Sequence, residues 1–173
     1  MRDRVPDCAP DSIEQPAAHY RIAIDVAGTT LVAVPNGDVS KPPGPDNTPF
    51  ELLGGSEPVL ALAKAFYDAM ERDEAELTAL HPRSPEGAIH AQVRERFGLF
   101  LVGWLGGPQD YVAQHGHPRL RMRHGRVPID ERMRDAWLRS MSTALDERQI
   151  QGELRTFLDR RFAELADFLR NQP

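Results

Sequence analysis

Of six histidines in the chain, His124 is the one placed to do chemistry, at the end of WLGGPQDYVAQHGHPRLRMRH, Trp104 to His124. Glycine ends helices and proline cannot continue them, so Gly106, Gly107 and Pro108 break one helix, and Gly116 and Pro118 break the chain again. His124 therefore lies on a short helical segment whose angle is set by turns, able to lean an imidazole towards a bound group. His115, His117 and His124 suggest zinc, but no Cys, Asp or Glu completes a tetrahedral set at a recognised spacing. Arg119, Arg121, Arg123 and Arg126 suggest phosphate, yet at alternate positions they fan around a helix instead of forming a stripe. A neutral imidazole flanked by basic side chains and by Leu120 and Met122 better suits a flat, apolar ligand with carboxylates at its edge. Taken alone, such a histidine is more often solvated, or satisfied inside a core, than a ligand.

The elements that must position it are helical. Ser56 caps a helix with Pro58 near its tolerated start, and Val59, Leu62, Ala63, Phe66 and Met70 follow at helical spacing with Tyr67 at the edge of that face. A short acidic turn, Asp73 to Leu80, ends at His81-Pro82. Ser84-Pro85-Glu86 reads as the next helix start, leading through Ile89, Val93, Phe97, Phe100, Leu101 and Trp104. After His124, Asp130 caps a helix bearing Met133, Ala136, Trp137, Ser140, Met141, Ala144 and Leu145. The last helix, about Gln151 to Asn171, shows Leu154, Phe157, Leu158, Phe162, Leu165 and Leu169. Four substantial helices, two short ones and no strand make an all-α body.

Ahead of that body the character differs. Met1 to Ala18 is polar and proline-bearing, which points to disorder. Large apolar residues alternate from Tyr20 to Val26, and after Gly28 the chain runs through Thr29-Thr30 to Leu31–Val34, so a β-hairpin over 20–34 is expected. Residues 35–48 are a proline-rich linker. The expected division is an N-terminal extension, 1–48, and a compact domain, 49–173.

At 173 residues the chain is long enough for one well-buried core. A net charge of -5 gives no overall attraction to nucleic acid or anionic lipid. The lone cysteine, Cys8, permits neither an internal disulfide nor a thiolate metal cluster. Phe97 to Leu105, the longest apolar run, is too short to cross a bilayer. The first residues lack the apolar centre of an export signal, so a cytoplasmic location is expected.

GGPQDYVAQHGHPRLRMRH followed by RDAWL resembles the group II truncated haemoglobins, a bacterial globin family. The likeness runs from Pro49-Phe50 and Gly54-Gly55 through Phe66-Tyr67 and Leu80-His81-Pro82 to the final helix, leaving the first 48 residues outside it. It implies a shortened globin, helices crossing two-over-two around haem b, with His124 as the proximal iron ligand. It also implies a distal face made of Tyr67, Trp137 and His81. Phe66, Val93, Phe97, Leu101, Leu105, Leu120, Met122, Ile129 and Met133 would line the haem pocket, and Arg121, Arg123 and Tyr111 would meet the propionates.

Oxygen bound to ferrous iron carries partial negative charge, so the phenol of Tyr67 and the indole of Trp137 would retain it. His81 would add a titratable donor, with pH dependence between about 5.5 and 7.5. The expected ligands are oxygen, nitric oxide, carbon monoxide or peroxide, with an unidentified reductase as partner. Slow nitric oxide dioxygenase or peroxidase-like activity is compatible with this pocket. Two other readings are a haem-based gas or redox sensor signalling through the N-terminal extension and a haem-free adaptor. The unpaired edges of a hairpin suggest a homodimer.

Overall fold

The computed structural model describes residues 20–24, 31–35, 43–44 and 46–173. The chain divides into two units, Met1–Pro35 and Asn36–Pro173. In the first, β1 (Tyr20–Ile24) and β2 (Leu31–Pro35) pair antiparallel with Ile22 opposite Ala33. The turn expected between them, the leader expected to be disordered and most of the proline-rich linker lie outside the described residues.

Among its described residues the second unit consists of helices joined by turns and loops, with isolated β-bridges at Gly44–Asn47 and Arg83–Ile89 as its only extended pairings. Its helices are α1 (Pro49–Leu53), α2 (Ser56–Asp73), α3 (Ala75–Ala79), α4 (Ala91–Trp104), α5 (Asp110–His115), α6 (Leu120–His124), α7 (Glu131–Glu147) and α8 (Gly152–Leu169). The four long ones are those that apolar periodicity announces. Helix α2 packs on α4 and on α7, and α7 packs on α8, giving two helix pairs stacked two-over-two. Val59, Leu62, Phe66 and Met70 of α2 meet Met141, Ala144 and Leu145 of α7 and Leu154, Leu158 and Phe162 of α8 in one core. No described helix is long and apolar enough to cross a membrane.

Local details differ from the sequence expectations where hydrogen bonding outweighs periodicity. Helix α1 was not expected. It is fixed by a reciprocal cap in which Thr48 accepts from the Glu51 backbone N–H at 3.3 Å and the Glu51 carboxylate accepts from Thr48 N–H at 2.9 Å. Gly55 stands at the N-cap of α2 in place of Ser56, which is already helical. Ser84-Pro85-Glu86 does not begin α4. It forms a turn closed by Gly87 N–H to the Ser84 carbonyl, with Gly87 at φ 91°, and α4 begins only after His90, whose ring accepts from Gln92 N–H. Ile89 thus belongs to that turn and is buried there at 2% exposure. Asp130 caps α7 as expected, accepting from Met133 N–H at 2.8 Å.

Candidate functional site

Helix α6 is a single short turn of helix. Arg119 opens it in the left-handed region, φ 43°, a conformation that costs a non-glycine residue energy and persists only where its surroundings fix it. At its end the half-buried His124 places Nδ1 2.8 Å from the carbonyl of Leu120. A carbonyl can only accept, so Nδ1 carries the proton and Nε2 of the neutral ring keeps its lone pair. That is the tautomer a metal-ligating histidine needs, set by the hydrogen bond on the other nitrogen.

A second aromatic group gathers from α2, α4, α7 and the turn after α3. The Tyr67 ring meets Phe66 at 5.0 Å, Phe97 at 5.5 Å and His81 at 5.8 Å, while Phe66 also meets Trp137 at 5.0 Å. His81 mirrors His124, its Nδ1 lying 3.0 Å from the carbonyl of Leu77. Burial holds its pKa below the ordinary histidine value against the pull of the Leu77 carbonyl, and the His124 imidazole acts on it in the same downward direction.

Tyr67 is only 4% exposed, yet among the described residues nothing accepts from its hydroxyl, and none accepts from the indole N–H of the half-buried Trp137. Neither donor atom is fully enclosed, since no side-chain nitrogen or oxygen among the described residues is both buried and without a partner. Donors without a protein acceptor that open onto accessible space fit a pocket that takes a ligand. Burial also keeps the Tyr67 phenol far above its usual pKa, with nearby Arg94 opposing, so it stays a donor.

The remaining candidates separate by position. Val93, Phe97, Leu120 and Ile129 are half-buried and retain surface for a ligand, whereas Phe66, Leu101 and Met133 are buried in the protein core, 1%, 0% and 8% exposed. Leu105 belongs to the same buried core as Phe66 and Tyr67, caps the end of α4 and lines a groove with Thr48, Trp104 and Phe157. Met122 is 68% exposed and, two residues before His124, lies about 200° from it around the helix.

Arg121 stacks its guanidinium 5.4 Å from the Phe168 ring, and Arg123 turns back to the Pro118 carbonyl at 3.0 Å. Neither has a carboxylate partner among the described residues, which leaves their charge available for an anion. Tyr111 is buried between Phe100 and His115. The neutral Nε2 of His124, the uncommitted donors and these arginines fit an iron porphyrin edged by carboxylates.

Sequence reasoning missed two features. Arg94 lies 5.5 Å over the Tyr67 ring and bridges Asp68 and Glu71, each at 2.7 Å, while Glu71 also accepts from Ile89 N–H. Helical spacing puts Asp68 and Glu71 on one side of α2 and could have flagged them, but nothing in the sequence names their partner. Asn171, beyond the last helix, bonds to the segment after His124 and carries no local signal.

A family model described as bacterial-like globin matches residues 48–171. The group 2 truncated hemoglobin YjbI of Bacillus subtilis (strain 168) is 36% identical over 126 residues, covering 73% of this chain and 90% of that protein. Among solved structures, the cold-adapted truncated hemoglobin of the Antarctic bacterium Pseudoalteromonas haloplanktis TAC125 superposes with a TM-score of 0.67 at 43% identity, covering 73% of this chain and all (100%) of that one. The truncated oxygen-avid haemoglobin of Bacillus subtilis gives 0.64 at 34% identity, over 72% of this chain and 100% of that one.

Proposed function

This chain belongs to the bacterial-like globin family, as a group II truncated haemoglobin, and on that premise we propose a ligand-retaining role for it. Haem iron, held by His124, would supply a binding site for oxygen and other diatomic ligands together with a redox couple. Slow release suits scavenging or redox chemistry of nitric oxide or peroxide and does not suit oxygen delivery. The oxygen avidity named for the Bacillus subtilis relative supports the same reading.

The observation that carries it is the Tyr67 hydroxyl, without a protein acceptor on a residue only 4% exposed, its ring against His81 and sharing Phe66 as a neighbour with Trp137. On this reading His124 holds the iron through Nε2, and Arg121, Arg123 and Tyr111 serve the carboxylate edge. Tyr67 and Trp137 donate to a ligand that gains negative charge on binding. Each such bond is worth roughly 1.5–3 kcal/mol, so the two together slow escape on the order of 100-fold or more. Phe66 and Phe97 each pack against both donor rings and fix their positions.

Nitric oxide or peroxide turnover draws electrons from outside the chain, so the reading carries a reductase with it. The β1–β2 pair has one unpaired edge on each strand among its described residues, the basis for proposing a homodimer. Stopped-flow oxygen release from Tyr67→Phe and Trp137→Phe tests the distal assignment. Faster release from both is expected, and unchanged rates in both would remove it.

A further inference from the structure

We propose that Asn171 is a positioning residue for the proximal histidine: its carboxamide, delivered by the end of α8, holds the carboxyl end of α6 and so sets the direction in which His124 presents Nε2. The inference rests on His124 as the haem ligand.

Helix α6 is five residues long, and an isolated helix of that length has no stability of its own in water. Its orientation must come from outside. The local contacts are few: Arg119 N–H to the His117 ring and the Arg123 guanidinium to the Pro118 carbonyl. They tie α6 only to the turn before it. The element α6 packs on is α8.

Asn171, two residues past the end of α8, completes that attachment. Its Nδ2 donates to the carbonyl of His124 itself at 3.2 Å and to that of Val127 at 3.0 Å. Its Oδ1 accepts from Ile129 N–H at 3.0 Å, and the Asn171 and Gln172 backbone N–H groups both donate to the Ile129 carbonyl. One side chain thus spans the carboxyl end of α6 and the loop to α7. The last carbonyls of a helix lack intrahelical partners, and here the carbonyl of the ligand residue is met by Val127 N–H and by Asn171. Only a carboxamide offers two donors and an acceptor on one short stem.

The test uses the full chain loaded with haem. In Asn171→Ala the iron–histidine stretching band of the ferrous, ligand-free protein, read by resonance Raman, is expected to shift or broaden. Haem transfer to an apoglobin acceptor is expected to accelerate roughly tenfold, about one lost hydrogen bond at a charged or strained site. Asn171→Asp keeps the acceptor for Ile129 N–H but loses both donors, so it should reproduce the spectral change. Gln172→Ala, which removes no side-chain bond, should leave the band in place. A wild-type band and wild-type haem loss in Asn171→Ala overturn the proposal, even where melting falls, because the residue then merely anchors the tail. Failure of the wild-type chain to take up haem removes the underlying reading instead.

Discussion

Replacing Tyr67 by phenylalanine should speed ligand release while leaving the stability of the ligand-free protein nearly unchanged. The ring is held by Phe66 at 5.0 Å, Phe97 at 5.5 Å, His81 at 5.8 Å and the Arg94 guanidinium at 5.5 Å. Phenylalanine preserves all four contacts. What it removes is a hydroxyl that no described residue accepts from and that is not fully enclosed, since no buried side-chain oxygen among the described residues lacks a partner. Because pocket water can reach that hydroxyl, its removal changes the ligand-free protein little, and the variant should match the wild type to within about 1 kcal/mol, a few degrees in Tm.

The ligand-bound protein loses a donor worth roughly 1.5–3 kcal/mol, which speeds oxygen release on the order of 10- to 100-fold. Thermal melts of the ligand-free protein and stopped-flow release measure the two. A variant destabilised by more than about 1 kcal/mol with release unchanged would show that the hydroxyl is a structural bond, and the assignment of Tyr67 to the ligand would fall.

Other variants probe the surrounding charges. Because burial lowers the His81 pKa and Leu77 takes its Nδ1 proton, its Nε2 becomes a donor only below the ordinary histidine range near 6.5. Ligand release should slow as pH falls beneath that value, and His81→Phe should abolish the slope; an unchanged pH profile in that variant would exclude His81 from the distal face. Over the same interval the unfolded chain binds a proton that native His81 refuses, so stability falls with falling pH, and urea titrations at stepped pH should show His81→Phe flattening that fall.

Arg94→Met leaves Asp68 and Glu71 without the partner that bridges them on a side chain 22% exposed. A loss of roughly 1–2 kcal/mol in urea unfolding is expected. Burial would raise the Asp68 pKa, but its bonds to Lys64 and Arg94 bring it below the ordinary value. The stability it contributes is thus present above the usual carboxylate range and lost as pH drops through the lowered value, and Arg94→Met should diminish that acid dependence. Deleting residues 1–40 should leave the haem spectrum intact while changing the oligomeric state seen by light scattering; an unchanged oligomer would free the extension from that role.

The long helices were legible because each must bury one face, and a period of 3.6 writes that face into the sequence, as Val59, Leu62, Phe66 and Met70 do on α2. The family was legible through a motif long enough to carry a resemblance, and the roles of His124 and the aromatic group are proposed from it. What could not be read depended on partners far apart in the chain. Periodicity counts Ile89 as helical, but the Glu71 carboxylate that accepts its N–H lies 18 residues away. Leu105 ends the apolar run of α4, and its carbonyl accepts from Phe50 N–H of α1, a partner far back in the chain that periodicity does not register. Adjacency likewise does not show that Met122 lies on the opposite side of α6 from His124, as residues two apart on a helix do.

On the proposed distal assignment, the paired histidines would leave two donors near neutral pH. His81 and His124 each end a short helical turn and each give Nδ1–H to the carbonyl four residues earlier. Neither can then offer a second N–H while neutral. At His124 that leaves the lone pair iron requires. At His81 it leaves an acceptor, which cannot stabilise a ligand gaining negative charge. The work passes to Tyr67 and Trp137, whose rings are placed by Phe66 and Phe97 through apolar packing. Packing does not titrate, so ligand retention by these two donors should hold constant from neutral pH upward, and only acid, by charging His81, should add a third.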